Sequence, residues 1–595
     1  MSSYLKMFLL IVSICAQTAH SQSKAEPDAA KEAERIRKEA VAFLRETSSD
    51  VANMRTLENR ISFASEMAAL MWFHDDREAR SMYGAVVADF KTLLAQYDAQ
   101  MNALDLAGES ASTITAGSFV PEASERTKAM RKFRTASAVR QQIAMSIAEH
   151  APELAFNFYH DSLSLITNAE FRKQMESGDE YFGYRLMTKI AENDASRAVE
   201  LGKASIGKGL NFNHIELLKT IYAKDVDKGV EFGAKVLSEF KSAPSEKLND
   251  SVTLLLFDFA KTNLEESKKG EGKKPVYSEN EVREIGEILA KQILSPAELW
   301  DPHTALRYAA SIESILPGRA EQIRAKFKIP ETEGQSRGRF RSTSGRAVPP
   351  PPVAAVEPPD PKEKEKQRAE EKLIQEVASI GTKPLPKEER ERIVGEARRL
   401  LAQEPVRERK LMGLSALAAG VKRAGDAELA AELMVEASKL VNPQPKNYQD
   451  FIFTWLLISG YAEADPDNAF KTLDGAIYRA NDLISAFVKV GEFIDVGEEM
   501  FVDGEMQVGA FGGEMIRGLT KEIGIAESTI KSLVRADFAR TRILTDRFDR
   551  PEVRVLAKVL VLRAVLGKSA EQKQRSDSPE SVLGTSPQAE RSDQK

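Results

Sequence analysis

Ala191-Glu192-Asn193-Asp194-Ala195-Ser196-Arg197-Ala198 and Ala462-Glu463-Ala464-Asp465-Pro466-Asp467-Asn468-Ala469 follow one outline, and that outline decides the fold. Tyr222-Ala223-Lys224-Asp225-Val226-Asp227-Lys228-Gly229 and Arg423-Ala424-Gly425-Asp426-Ala427-Glu428-Leu429-Ala430 repeat it. Ala148-Glu149-His150-Ala151-Pro152-Glu153-Leu154-Ala155 keeps its shape without the acid. Each stretch reads as a helix that stops and a helix that starts at once. Asp194, Asp225, Asp426 and Asp465 stand where a carboxylate accepts the free N–H groups of a first turn. Pro152 and Pro466 occupy the first helical position, where a missing N–H costs nothing. A small residue four places after the cap (Ala198, Gly229, Ala430, Ala469) lets the new helix come close to the old one.

Outward from these junctions, apolar residues recur at helical spacing. Ile215, Leu217, Leu218, Ile221 and Tyr222 form one stripe, and Val230, Phe232, Val236, Leu237 and Phe240 form the next. Phe451, Phe453, Leu456, Leu457 and Tyr461 precede Phe470, Leu473, Ile477 and Tyr478 in the same way. Each set predicts one broad apolar face on a helix of roughly four turns. Short gaps between stripes are the layout of antiparallel helix hairpins. From 191 to 222 is 31 residues and from 423 to 462 is 39. Those steps match the length of one hairpin in a solenoid, roughly 30–45 residues.

On these junctions and spacings the chain resembles the tetratricopeptide-like superfamily of helical repeats, which also places Ala and Asp-Pro where helices meet. The Trp-Leu-Gly-Tyr positions of the standard repeat are not recognisable and the spacing is irregular. The resemblance covers about half of each helical region. It implies an all-α α-solenoid that acts as an interaction scaffold for a protein or peptide partner, and it transfers no functional residue.

Composition supports helix: Ala, Glu, Lys, Leu and Arg dominate most of the chain and β-branched alternation is scarce. Two stretches interrupt it. Residues 331–364 hold Ser336-Arg337-Gly338-Arg339-Phe340-Arg341, four prolines from Pro349 to Pro352, and Pro358-Pro359-Asp360-Pro361. Such a stretch cannot bury a core, and the expectation is a disordered, solvated Pro-rich linker. Residues 568–595, rich in Ser, Gln and charge, read as a disordered tail. The linear division is therefore an N-terminal helical domain over 28–330 and a C-terminal one over 365–567.

The first residues read as a targeting segment, 1–21. Lys6 is the positive charge, Met7 to Ala16 is apolar but for Ser13, and Ala19-His20-Ser21 presents small residues to a signal peptidase. The apolar run is short for a bilayer span, so an uncleaved anchor is disfavoured. Acylation of Cys15 as a lipoprotein ranks second to cleavage, because Ile14 before it is not small. Export to a periplasm or the outside is the expectation. Cys15 is the only cysteine. A processed chain therefore has no disulfide, thiolate ligand or thiol nucleophile. Without Lys6, 83 basic residues face 90 acidic ones, a net of −7. That mild acidity favours solubility and argues against nucleic acid as a partner. No later segment is apolar over a membrane-spanning length.

The sequence shows no catalytic, cofactor-binding or metal-binding constellation, and no enzyme activity or cofactor is expected from it. His74, His150, His160, His214 and His303 lie at no common ligand spacing. His74-Asp75-Asp76 follows the aromatic Trp72-Phe73 and reads as a helix end. His160-Asp161 with Ser162 or Ser164 imitates a dyad, but adjacent residues on a helix do not face each other. The pairs Asp225/Asp227 and Asp465/Asp467 fall on junctions and read as caps. Asp503/Glu505 is the pair left for an alternative, an envelope enzyme or accessory factor that processes carbohydrate or peptidoglycan with Asp or Glu. It lies in Gly491–Gly518, where Gly491, Gly497, Gly504, Gly509, Gly512, Gly513 and Gly518 alternate with apolar residues and acids. No Gly-Lys-Ser/Thr follows, so this is no phosphate loop. Val502-Asp503-Gly504-Glu505-Met506 reads as a tight turn between short strands. The segment is either a partner-binding element or a long loop folded back over the core, and the second is expected. Arg337, Arg339, Arg341 and Arg346 offer an anionic polymer a contact, against the simpler role of spacer.

Overall fold

The computed structural model describes residues 27–107, 124–207, 209–243, 250–269, 274–295, 300–327, 376–377, 380, 385–493, 500–512 and 528–567. The targeting segment, the linker 331–364 and the tail 568–595 lie outside them. The described chain is all-α but for one small hairpin. No described helix is long and apolar enough to cross a membrane.

The helices are α1 (Pro27–Ala52), α2 (Leu57–Met71), α3 (Asp76–Ala107), α4 (Glu125–Ala148), α5 (Pro152–Ser164), α6 (Ala169–Asn193) and α7 (Ala195–Ile206). There follow α8 (Phe212–Lys224), α9 (Val226–Ser242), α10 (Asp250–Lys268), α11 (Glu279–Leu294), α12 (Pro302–Glu313) and α13 (Pro317–Lys326). The later ones are α14 (Lys387–Gln403), α15 (Arg407–Arg423), α16 (Ala427–Ser438), α17 (Tyr448–Ala464) and α18 (Pro466–Phe493). Strands β1 (Phe501–Val502) and β2 (Glu505–Met506) come next, then α19 (Phe538–Thr545) and α20 (Pro551–Leu566).

The four aspartates work at the junctions as read. Asp194, Asp225, Asp426 and Asp465 each accept, through Oδ1, the N–H three residues on, at 2.9, 3.0, 3.2 and 3.3 Å. The N–H groups of Asp194, Asp225 and Asp465 in turn donate to Ile190, Ile221 and Tyr461, closing the preceding helix. Ala198, Ala430 and Ala469 are wholly buried. At Gly229 a Cβ would lie 2.6 Å from the Cα of Tyr222, so only glycine permits that approach.

Contacts divide the chain into two compact units, residues 94–354 and residues 1–93 with 355–595. In the first, most helices pack on the next and several on the one after: α4 on α6, α6 on α8, α8 on α10, and α7 on α9. Asp98, on the last turns of α3, accepts the N–H groups of Thr167 and Asn168 at 3.0 and 2.9 Å. Asn168 caps α6, which brings the rings of Phe133 and Phe171 into a stack 3.9 Å apart.

The second unit corrects the linear division at 330 and 365. Helices α1 and α2 pack on α20, at the other end of the chain. Phe43, Leu44 and Val51 of α1, Met67 and Met71 of α2, and Val555, Val559, Leu562 and Leu566 of α20 share one core. A second core of the same unit joins α14 to α18 around Leu411, Leu414, Leu433 and Phe470. The physical reason is that α20 is apolar nearly all round and cannot bury two faces on its sequence neighbours alone; α1 and α2 supply the missing surface.

Polar contacts fix that remote pairing. The Lys558 ammonium, 5% exposed, meets Asp50 of α1 at 2.9 Å and Asp546 at 2.8 Å. Burial pulls its pKa down, but the hydrogen bonds to Asp546 and Asp50 outweigh burial, and the net shift is upward. The upward sign means the stabilisation is complete below the ordinary lysine range and is lost only as pH rises through the raised value. Replacing the ammonium by a thioether, Lys558→Met, is expected to cost about 2 kcal/mol at neutral pH, read from chemical denaturation. A variant as stable as the parent would show that this ion triad contributes nothing to the pairing of α1 with α20.

Candidate functional site

The glycine-punctuated segment resolves into a clasp. Phe501 pairs with Met506 and Val502 with Glu505, and Asp503 (φ 49°) and Gly504 (φ 75°) make the two-residue turn. Two successive positive φ values suit the twist of a tight hairpin, and Asp-Gly is a favoured pair there. Beyond the turn the chain lies against the first turns of α2. The backbone N–H of Arg55 donates to Glu505 Oε2 at 2.8 Å. The hydroxyl of Thr56 and the amide of Asn59 donate to Oε1 at 2.8 and 2.7 Å. A carboxylate at the positive end of a helix is favourable, and here it ties α2 to residues far along the chain. Gly509 rests on Ser62, where a Cβ would come within 2.4 Å of the serine Cβ. Ala510 N–H donates to the Ser62 hydroxyl at 3.0 Å. The described part of the segment, 500–512, thus folds back over the core as expected; 494–499 and 513–527 lie outside the described residues. Asp503 is exposed in the turn while Glu505 is buried with both oxygens engaged, so the two do not form a paired acid and base.

Other candidates separate in the same way. Asp75 accepts the Glu78 N–H at 2.9 Å and caps α3, which makes His74-Asp75-Asp76 a helix end. His160 packs on the Phe156 ring, 4.2 Å between centroids. Ser162 and Ser164 donate to the backbone oxygens of Tyr159 and Asp161. Among the described residues no three His, Cys, Asp or Glu side chains converge as metal ligands would. The arginines at 337, 339, 341 and 346 lie outside the described residues.

One cluster escaped the sequence reading. His214, wholly buried, has Nε2 3.0 Å from Ser205 Oγ and 3.5 Å from Tyr184 Oη. Asn211 N–H donates to its Nδ1 at 3.1 Å. A Ser–His contact suggests a nucleophile, but the tautomer opposes it. With Nδ1 accepting from the backbone, the ring proton sits on Nε2 and is donated toward Ser205, so the ring cannot take the serine's proton. Burial lowers its pKa to about 4, keeping the ring neutral. The sequence did carry a signal: Asn211 caps α8 and His214 stands third in that helix, closing a capping box with an imidazole in place of a glutamate.

The candidate binding site lies in the second unit, over α17. Helices α16 and α18 each pack on α17, and between them opens a cleft of about 1100 Å³. Phe451, Leu457 and Tyr461, on one face of α17, line its floor. One wall is α18, with Lys471, Ala476, Tyr478 and Arg479; the other is the loop after α16, with Lys439, Val441 and Pro443. Asp450 pins that loop: the Asn442 amide donates to it at 3.0 Å and the Lys446 N–H at 3.2 Å. These two donors hold its carboxyl below the usual carboxylate range. Tyr478 was expected on the core stripe of α18, and the structure corrects this. Phe470 and Ile477 are buried, but Tyr478 is 73% exposed. It follows Ile477 by one residue, and one step on a helix turns a side chain by about 100°. Neither Lys439 nor Lys471 has an ion pair among the described residues, while Arg479 is 3.8 Å from Asp482. Sequence reading passed over these cations because single charges on a helix look like any solvated face.

Comparison with known proteins finds no family model, no curated protein and no solved structure that matches the chain. The chemistry of the cleft is therefore read from its own residues.

The buried imidazole gives a pH signature. Its folded pKa, about 4, lies below its ordinary 6.5. Between those values the unfolded chain binds a proton that the folded chain does not, so stability falls as pH drops through that window. The contribution is roughly 3 kcal/mol across the window. Denaturation at pH 4 to 6.5 is expected to show this slope in the parent and a shallower one in His214→Gln. Equal slopes would show that the imidazole is not held neutral.

Proposed function

We propose that this chain is an exported helical-repeat scaffold that binds a protein or peptide partner in the cleft over α17. The observation that carries the reading is the exposed Tyr478 ring beside an apolar floor, with charged groups at the edge. Aromatic anchors on rigid helices are the usual centre of a protein interface, because two torsions fix a large contact area. The recurring contact of a helix with the next but one supports the repeat reading, and stacked hairpins present extended surfaces suited to peptides. Size supports it as well: clefts of roughly 300–1,000 Å³ enclose drug-sized molecules, and this one, at about 1100 Å³, is larger and open. The envelope-enzyme alternative gains no support from the pair left to it, because Asp503 stands in a turn and Glu505 is held in the clasp.

Photo-crosslinking from the cleft tests the reading. With p-benzoylphenylalanine at Tyr478, cells of the native host are expected to yield a discrete adduct. The same group at Ile543, exposed on α19, is expected to yield none. Equal labelling from both positions, or none from either, would refute the cleft as an interface. Export rests on Lys6, the apolar run to Ala16 and Ala19-His20-Ser21. The intact mass of the protein from that host is expected to correspond to a chain starting at Gln22. A mass that includes residues 1–21 would overturn export, and a chain that starts at a lipid-bearing Cys15 would replace cleavage before Gln22 with the lipoprotein form.

A further inference from the structure

We propose that the cleft over α17 selects an extended acidic segment of its partner, with Lys439, Lys471 and Arg479 reading the carboxylates and Tyr478 covering an apolar residue between them. This rests on the scaffold reading above and adds the chemistry of what is bound.

The first argument is the inventory of donors. Ser438, Thr454 and Thr472 line the cleft, but their hydroxyls donate to backbone oxygens of their own helices, at Val435, Asp450 and Asn468. One hydrogen per hydroxyl leaves nothing for an incoming acceptor. The Asn442 amide is engaged by Asp450. The strongest donors left to a ligand are the three cations, and cations favour charged acceptors over neutral ones.

Charge is the second argument. Three cations face one carboxylate, Asp482, in a chain whose net charge is −6. Lys439 and Lys471 stand on opposite walls, one on the loop after α16 and one on α18, so an occupant running along α17 passes between them. The half-buried Phe451 on the floor offers apolar contact as well. The occupant is therefore an acidic segment with an interspersed apolar side chain.

The third argument separates a peptide from a long polyanion. Lys439 also borders a shallow depression on α16 lined by Glu428, Glu432 and Glu436, the last of them paired with Arg398 at 3.0 Å. A nucleic acid or sulfated polysaccharide extending past Lys439 meets a surface on which carboxylates outnumber cations and Glu428 and Glu432 lead, which disfavours it. A short acidic segment ends within the cleft.

Three fluorescein-labelled peptides with the same Leu and Phe residues, and Glu, Gln or Lys at the positions between, are titrated into the full chain by fluorescence anisotropy. The Glu peptide is expected to bind about tenfold more tightly than the Gln peptide, the sum of two or three exposed ion pairs. Added salt is expected to erase that difference. The double variant Lys439→Glu, Lys471→Glu alters exposed side chains only, keeps the parent's circular dichroism and melting, and is expected to prefer the Lys peptide. Equal binding of the Glu and Gln peptides overturns the acidic selection and leaves the scaffold reading intact. So does the absence of peptide binding when the Tyr478 crosslink forms. A single-stranded oligonucleotide or heparin that displaces the Glu peptide at lower concentration than unlabelled peptide overturns the peptide in favour of a polyanion. No binding and no crosslink refutes both readings.

Discussion

The constraint on which the rest depends is that one residue must end a helix and begin another. At Asp194, Asp225 and Asp465 the backbone N–H closes the helix behind and the carboxylate opens the helix ahead. No loop residue is left to separate the two axes. The second helix must turn back against the first, so the side chain four places on meets the preceding helix. That position can hold only a small residue, and Gly229 against Tyr222 marks the limit. Each cap contributes about 1 kcal/mol, less than the burial of a single Leu. The caps supply little of the stability and most of the geometry: they decide which stripes face each other, and the stripes then supply the energy.

This separation explains what could be read in advance. Capping is local, so the junctions at 194, 225, 426 and 465 were legible from eight residues each. The hairpin at Asp503-Gly504 was legible for the same reason, since its turn needs two positive φ values and names the residues that tolerate them. The pairing of α1 with α20 was not. An apolar stripe states that a face must be covered and does not state by what, and Phe43 carries no mark of Val559. Tyr478 was misplaced because a stripe read by eye tolerates one residue of error, and on a helix one residue turns a core position into an exposed one. Of the cleft, the aromatic residues were visible individually. Their convergence with Lys439 and Lys471 was not, because it depends on how α16, α17 and α18 pack.

The packing of α1 and α2 with α20 on one core also orders the assembly of this unit. Residues 94–354 form their own unit from contacts between sequence neighbours, the kind that form early. The unit that holds the clasp cannot complete until α20 has been made, because Val555, Val559 and Leu562 supply part of the surface that covers Phe43 and Met67. Until then the stripes of α1 and α2 are covered only in part, by each other and by the clasp. The two carboxylates on Lys558 give this late contact a register that apolar packing alone would not specify. An unpaired Lys558 would be costly, so a shifted docking of α20 is disfavoured more strongly than apolar contact would make it.

The same logic bears on the cleft. A surface meant only to stay dissolved gains by pairing its charges along the helix, as Lys219 with Glu216 and Lys235 with Glu239 do. Among the described residues Lys439 and Lys471 have no such partner, and they sit across an apolar floor that water solvates poorly. Unpaired cations beside such a floor add nothing to folding, yet the elements that present them are held firmly. Asp450 fixes the loop that carries Lys439, and α18 carries Lys471 and Tyr478 on a helix capped by Asp465. A rigid frame around unspent donors lowers the ordering cost that a partner must overcome on docking. The junction residues that build the fold are thus the same residues that hold the cleft ready, because the cap of α18 sets the angle at which its wall leaves α17.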